Sequence, residues 1–214
     1  MLIVGAKGFA KELLEICNQN DELASLVFYD DISEDIGDSI YNQFTVIKSL
    51  DQAKDYFEKI DKRFTIGVGN PILRKKMYDQ FVTIGGLLTH TISKQSMIST
   101  FDVKINEGCN ILSGVNISNG VKIGVGNIVY YNVNIAHDCK IGDFVEISPS
   151  VNLLGHVKVG DFTHIGANAT ILPKLTIGNN VTVGAGAVVT RNIPDNVVVA
   201  GVPAKIIKYK ELKV

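Results

Sequence analysis

Apolar and polar positions follow two different rhythms along this chain, and the change falls between Ser93 and Ile98. Before it, short apolar runs alternate with amphipathic segments. Leu2-Ile3-Val4 predicts a buried strand, followed by a turn at Gly5-Ala6-Lys7-Gly8. From Phe9 to Asn18 the apolar residues Phe9, Leu13, Leu14, Ile16 and Cys17 recur at helical spacing. Leu26 to Tyr29 reads as a second strand, ending in Asp30-Asp31. Ser49 to Ile60 carries Leu50, Ala53, Phe57 and Ile60 on one helical face. Phe64-Thr65-Ile66 predicts a third strand, closed by Gly67-Val68-Gly69-Asn70. Pro71 then sits at a first helical position, and Ile72 to Phe81 continues that helix. Strands alternating with helices imply βαβ units and a parallel sheet. Residues 1–92 are therefore expected to form an α/β, Rossmann-like domain.

After the change the period is six. Stepping by six from Ile105 to Val189 meets fifteen positions, and every one is Ile, Leu or Val. The positions four residues further on, from Cys109 to Ala187, carry no charge. A period of six is neither helical nor that of a simple strand. It marks a parallel β-helix, with one six-residue unit per flat face and eighteen residues per triangular coil. Residues eighteen apart then stack in columns, about 4.8 Å from coil to coil. Residues 93–214 are expected to form this second domain. Gly124, Gly142, Gly160 and Gly178 make one column, expected at a corner where glycine permits a tight backbone. Cys109 and Cys139 face inward and are expected to pack. Solenoid ends need caps. The first domain is expected to cap one end, and a short helix from Ala204 to Leu212 the other.

Charge sharpens the division. Residues 1–90 hold ten basic against fourteen acidic side chains, and the remainder eleven against eight. The whole chain of 214 residues has a formal net charge of −1, with no basic excess to neutralise nucleic-acid phosphates. Three cysteines without a CxxC pair do not make a disulfide framework. No apolar run reaches the ~18 residues of a membrane span. A cytoplasmic protein is expected, with no nucleic-acid or membrane partner.

The register displays the candidate chemistry. His137 lies one coil below Gly155; Asp138, His156 and Lys174 share a column, as do Glu146 and His164. A neutral imidazole suits proton removal near pH 7, and an adjacent carboxylate fixes its tautomer. His137 and Asp138 are the leading catalytic pair, with the Gly155 N–H as the oxyanion donor. The alternative is a solvated corner histidine. The columns through His156 and His164 are weaker candidates and read more readily as surface charge ladders that steady the coils. No spacing of a metal site is present, and no metal is expected. In the first domain, Gly5, Lys7 and Gly8 form a turn from strand to helix that suits phosphate. With Phe9, Asp30, Asp31, Gly67, Gly69 and Asn70 they ring the strand ends where open parallel sheets bind ligands.

Several segments carry a family likeness: VGAKGFAKE at the start, FYDD at 28–31, TIGVGNPILRKKMY at 65–78, NIAHDCKIGDF at 134–144 and VVVAGVPAKIIK at 197–208. With the hexapeptide array they resemble the left-handed β-helix acyltransferases. The likeness is to the branch of bacterial nucleotide-sugar N-acetyltransferases and sialic acid O-acetyltransferase-like proteins. The resemblance implies a homotrimer with acetyl-CoA between neighbouring β-helices. It implies a UDP- or dTDP-linked 4-amino-4,6-dideoxy sugar on the first domain, acetylated at its C4 amine. It makes His137 the general base, supported by Asp138. It puts Gly155 at the thioester carbonyl, with Glu146, His164, Gly184, Ala185 and Lys205 toward CoA. Three positions depart from the pattern: Asp138 where many relatives have Glu, Phe9 where some have His, and Glu146 where some have a second His. An O-acetyltransferase of sialic acid or another glycan, and a non-catalytic trimeric scaffold, are the alternatives.

Overall fold

The computed structural model describes residues 1–211. Its first unit, Met1–Lys94, runs β1 (Leu2–Val4), α1 (Gly8–Gln19), β2 (Val27–Tyr29), β3 (Ser39–Ile40), β4 (Phe44–Ile47), α2 (Leu50–Lys59), β5 (Arg63–Ile66), α3 (Pro71–Thr83) and β6 (Leu87–Leu88). The sheet order is β3-β4-β2-β1-β5-β6, parallel except for the β3–β4 hairpin. Central β1 is wholly buried, which is why it reads as an uninterrupted apolar run. α2 and α3 start where side chains replace missing backbone acceptors, whereas α1 opens after Lys7 without a side-chain cap. Ser49 accepts the Gln52 N–H and Asn70 the Leu73 N–H, with Pro71 as the first helical residue. An aromatic cluster fills the space between sheet and α3, with Phe81 edge-on to Tyr29 at 4.9 Å and tilted against Phe64 at 5.6 Å.

From Gln95 the chain is a parallel β-helix of two-residue strands. Three columns build it: one through Asn110, Ile128, Glu146, His164 and Thr182; one through Met97, Asn116, Asn134, Asn152, Thr170 and Val188; one through Lys104, Lys122, Lys140, Lys158 and Thr176. The inward hexad residues are buried, apart from the part-exposed Ile105 and Leu175. Inward polar residues bond along the stack: the Asn127 amide donates to the Gly142 carbonyl and its oxygen accepts the Val145 N–H. Cys109 and Cys139 are buried and unbridged.

Every turn needs one left-handed residue. Positive φ recurs at six-residue intervals from Asp102 to Gly186, and the residues are Gly, Asn, Asp, Ser, Phe, His and Lys. The glycine column 124/142/160/178 is not part of that set. A Cβ on Gly124 would stand 2.2 Å from Asp143 Oδ1 and 2.5 Å from the Gly142 carbonyl. The next coil's side chain therefore excludes it, rather than a strained backbone. Asp143 uses that space to accept the Val125 N–H, as Asp161 accepts that of Asp143.

The C-terminal helix expected from Ala204 is not formed. Lys205–Tyr209 is a strand, paired antiparallel with Val197–Ala200 around a turn with a cis peptide at Val202–Pro203. Ile206, Ile207 and Tyr209 favour a strand, and the turn delivers them to a sheet edge. Leu212 lies outside the described residues.

Candidate functional site

His137 and Asp138 occupy the corner that follows the strand Asn134–Ile135. His137 Nδ1 lies 2.9 Å from Asp138 Oδ2. With the carboxylate accepting, Nδ1 carries the proton and Nε2 is left as the basic nitrogen. That hydrogen bond, followed by the charge of His156, holds the Asp138 carboxyl below its ordinary value. Both side chains are more than half exposed, 59% and 51%, so an incoming substrate can reach the ring. Asp138 adopts left-handed backbone, φ 60°. A Cβ on Gly120, one coil below, would stand 2.4 Å from Asp138 Oδ1. Gly120 thus leaves the room in which the carboxylate sits.

Gly155 packs directly against the imidazole. A Cβ there would lie 2.6 Å from His137 Nε2 and 2.7 Å from Cε1. No side chain other than hydrogen lets the ring keep its place. Its carbonyl accepts the Lys174 N–H and so is tied into the stack. Beside this corner a groove of about 660 Å³ runs along the face of Ser96, Met97, Ser118, Asn134, Ala136 and Leu154. Two of its lining residues, Ala136 and Leu154, immediately precede His137 and Gly155 in the chain.

His156 was legible only as a column mate of Asp138. Its Nε2 lies 3.7 Å from the same Oδ2, and its ring stands perpendicular to that of His137 at 5.0 Å. These three are the one group of His, Cys, Asp or Glu among the described residues whose ligand atoms fall within 4.8 Å of each other. The two nitrogens converge on one carboxylate oxygen, at hydrogen-bond length for His137 and beyond it for His156.

The remaining expected residues disperse over the β-helix. Glu146 and His164 pair on another face, with Oε1 3.8 Å from Nε2 and Ser148 Oγ 3.0 Å from the same nitrogen. Gly184 and Ala185 follow the strand Thr182–Val183 at a different corner, and Lys205 lies beyond them in the antiparallel pair. Within one chain the structure does not bring these five to His137.

In the N-terminal unit, a cavity of about 400 Å³ opens at the carboxyl ends of β1, β2 and β5. Gly5, Lys7, Phe9, Asp30, Asp31, Gly67 and Gly69 line it, as the sequence suggested. Gly8 and Asn70 do not: Gly8 begins α1, and the Asn70 side chain is spent on capping α3. Asp30 turns one oxygen to the N–H groups of Ile32 and Ser33, so it holds its own loop. Lys7 pairs with Asp35 at 2.9 Å. Gly67 is required by contact, since a Cβ would stand 2.6 Å from Ala10 Cβ. Buried Arg74 donates to the carbonyls of Val68 and Gly69 and fixes that loop. The sequence reading missed Tyr29. It is 2% exposed on the cavity wall, and its hydroxyl has no hydrogen-bond partner in ordinary geometry. Burial first, then Asp31 beside it, push its phenol well above the usual range. A buried hydroxyl without a partner on a cavity wall suits a polar ligand group.

Comparison with known proteins agrees with both halves. Residues 1–81 match the family model described as the PglD N-terminal domain, and residues 156–191 the model described as bacterial transferase hexapeptide, six repeats. PerB from Caulobacter crescentus, solved with CoA and GDP-perosamine, is 30% identical over 97% of this chain and 96% of its own, with a TM-score of 0.89. The acetyltransferase domain of PglB from Neisseria gonorrhoeae, solved with acetyl coenzyme A, is 29% identical over 96% and 98%, with a TM-score of 0.86. WeeI from Acinetobacter baumannii is 29% identical over the same shares, with a TM-score of 0.87. No curated protein sequence matches. The left-handed hexapeptide coil, the PglD-type first unit and these full-length likenesses together make the chain a member of the hexapeptide-repeat acyltransferases.

Proposed function

We propose that this acyltransferase moves an acetyl group from acetyl-CoA to the C4 amine of a nucleotide-linked 4-amino-4,6-dideoxy sugar, with His137 as general base. The observation that carries the reading is the 2.9 Å line from His137 Nδ1 to Asp138 Oδ2, with Nε2 facing Gly155. The solved neighbours bound to CoA or acetyl coenzyme A support the co-substrate, and GDP-perosamine in PerB supports a nucleotide-linked amino sugar. That structure adds GDP to the UDP and dTDP carriers expected from the sequence. Two further neighbours are perosamine N-acetyltransferase variants with one histidine replaced, by asparagine and by alanine.

The neutral amine attacks the thioester carbonyl, and the C–N bond forms. Its proton passes to His137 Nε2, and Asp138 stabilises the imidazolium. The Gly155 N–H donates to the oxyanion. The C–S bond then breaks, CoA leaves, and the imidazolium returns its proton to the thiolate or to solvent. We assign the N-terminal cavity to the nucleotide. In this reading the dispersal of Glu146, His164, Gly184, Ala185 and Lys205 has a simple cause: they meet CoA in a trimer, each copy facing its neighbour's dyad.

A thiol-release assay tests the proposal. Acetyl-CoA is mixed with UDP-, dTDP- and GDP-linked 4-amino sugars, a 3-amino isomer and free sialic acid. Fast release with one 4-amino nucleotide sugar supports it. Release with sialic acid alone replaces it by O-acetylation, and silence in every well removes it.

A further inference from the structure

The Asp138 carboxylate serves two imidazoles through one oxygen. Oδ2 lies 2.9 Å from His137 Nδ1 and 3.7 Å from His156 Nε2, while Oδ1 rests over Gly120. Asp138 and His156 stack eighteen residues apart, both in left-handed backbone with φ 60° and 63°. The His156 N–H donates to the His137 carbonyl at 2.9 Å, so the two coils hold the side chains in fixed relation. We propose that His156 is a positioning residue: its neutral imidazole holds Asp138 in line with His137, and its protonation disables the dyad. The inference rests on the reading of His137 as the base.

Two physical consequences follow. A neutral His156 places Nε2 3.7 Å from Oδ2, a polar contact longer than a hydrogen bond, and its ring limits rotation of the half-exposed carboxylate into solvent. A protonated His156 competes for the same oxygen with full charge. It also sets a cation about 5 Å from the ring that must become cationic in the transition state. Other charged groups reinforce that sense. Lys174 follows on the coil above, and Lys140 and Lys158 stand on the strands after the two turns. Asp138 is the one carboxylate within ion-pair distance of His156 among the described residues.

The test compares pH–rate profiles of wild type, His156→Gly and His156→Asn. Glycine removes the ring at a turn position that other coils fill with Gly108, Gly114 and Gly120, so the backbone is not strained. Asparagine keeps a polar side chain and tolerates the left-handed turn. In wild type both protonations stop turnover, so the acid limb of log kcat/KM is steeper by one unit than in either variant. The acceptor amine titrates equally in all three and cancels. At pH 8, His156→Gly lowers kcat by about three- to tenfold with KM for acetyl-CoA unchanged, because a carboxylate free to rotate leaves the His137 ring less well placed. His156→Asn restores most of that loss. Imidazole proton resonances give the His156 titration independently, and its midpoint should coincide with the extra step. An equal limiting slope in wild type and His156→Asn, or full kcat in His156→Gly, overturns the inference and leaves the base intact. Full turnover in His137→Asn overturns the base reading and the inference together.

Discussion

Gly155→Ala is the most informative single substitution. Gly155 lies outside the positive-φ set, so its backbone accepts alanine without strain. The new methyl would stand 2.6 Å from His137 Nε2 and 2.7 Å from Cε1. Ordinary contact begins near 3.4 Å, so the ring must withdraw by about 0.8 Å. The ring is 59% exposed and able to move, so the fold loses little, under about 1 kcal/mol. Catalysis does not escape, because withdrawal bends the Nδ1–Oδ2 line and carries Nε2 away from the attacking amine. A misplacement near 1 Å costs about 10²-fold in rate. The measurement is kcat for thiol release, with thermal unfolding in parallel. Gly37→Ala is the control, since its Cβ would meet nothing within 4 Å. A kcat within threefold of wild type would refute the argument that this contact places the base. So would a collapse of the fold, because the loss would then be structural.

Other consequences concern the N-terminal unit and the core. Gly67→Ala drives a Cβ to 2.6 Å from Ala10 Cβ and 2.8 Å from its Cα, atoms that cannot swing aside. It should cost about 1–3 kcal/mol in unfolding and weaken nucleotide binding. Tyr29→Phe removes a buried hydroxyl whose neighbour Asp31 lies outside ordinary hydrogen-bond geometry, so stability should change little while nucleotide affinity falls about tenfold by calorimetry. Unchanged affinity would remove Tyr29 from the ligand site. Burial pushes the Cys139 thiol up to about 11 and the Cys17 thiol up to about 12. At pH 8 both stay protonated, so a disulfide reagent should find them inert until denaturant opens the core. The His137 hydrogen bond holds the Asp138 carboxyl below its ordinary value, so that carboxylate alone should stay ionised as pH falls until the lowered value is crossed, which carboxyl carbon resonances would follow.

The hexad step made the β-helix readable because a solenoid repeats its core at every turn. The eighteen-residue register alone put Gly155 over His137 and His156 over Asp138. It did not say which neighbours would touch. The 3.7 Å approach of His156 depends on left-handed turns at both positions, a conformation that His and Asp adopt here without a glycine to signal it. The glycine column was readable in place but not in cause, since Asp143 and Asp161 need the vacated volume. The C-terminal segment was misread as a helix because Ala204 to Leu212 has neither clear period. Pairing with Val197–Ala200 decided the matter, a long-range effect that local pattern does not contain. The short β3, β4 and β6 were hidden likewise. Tyr29 read as a strand residue because its apolar ring packs on Phe81 while its hydroxyl reaches the cavity wall.

The central claim is proton removal by His137. Turnover of acetyl-CoA with a nucleotide-linked 4-amino sugar should be measured for wild type and His137→Ala, with nucleotide binding measured on both. With His137 as the base, kcat falls about 10²- to 10⁴-fold in His137→Ala while nucleotide affinity and the melting temperature stay at the wild-type values. Wild-type turnover in His137→Ala would contradict it.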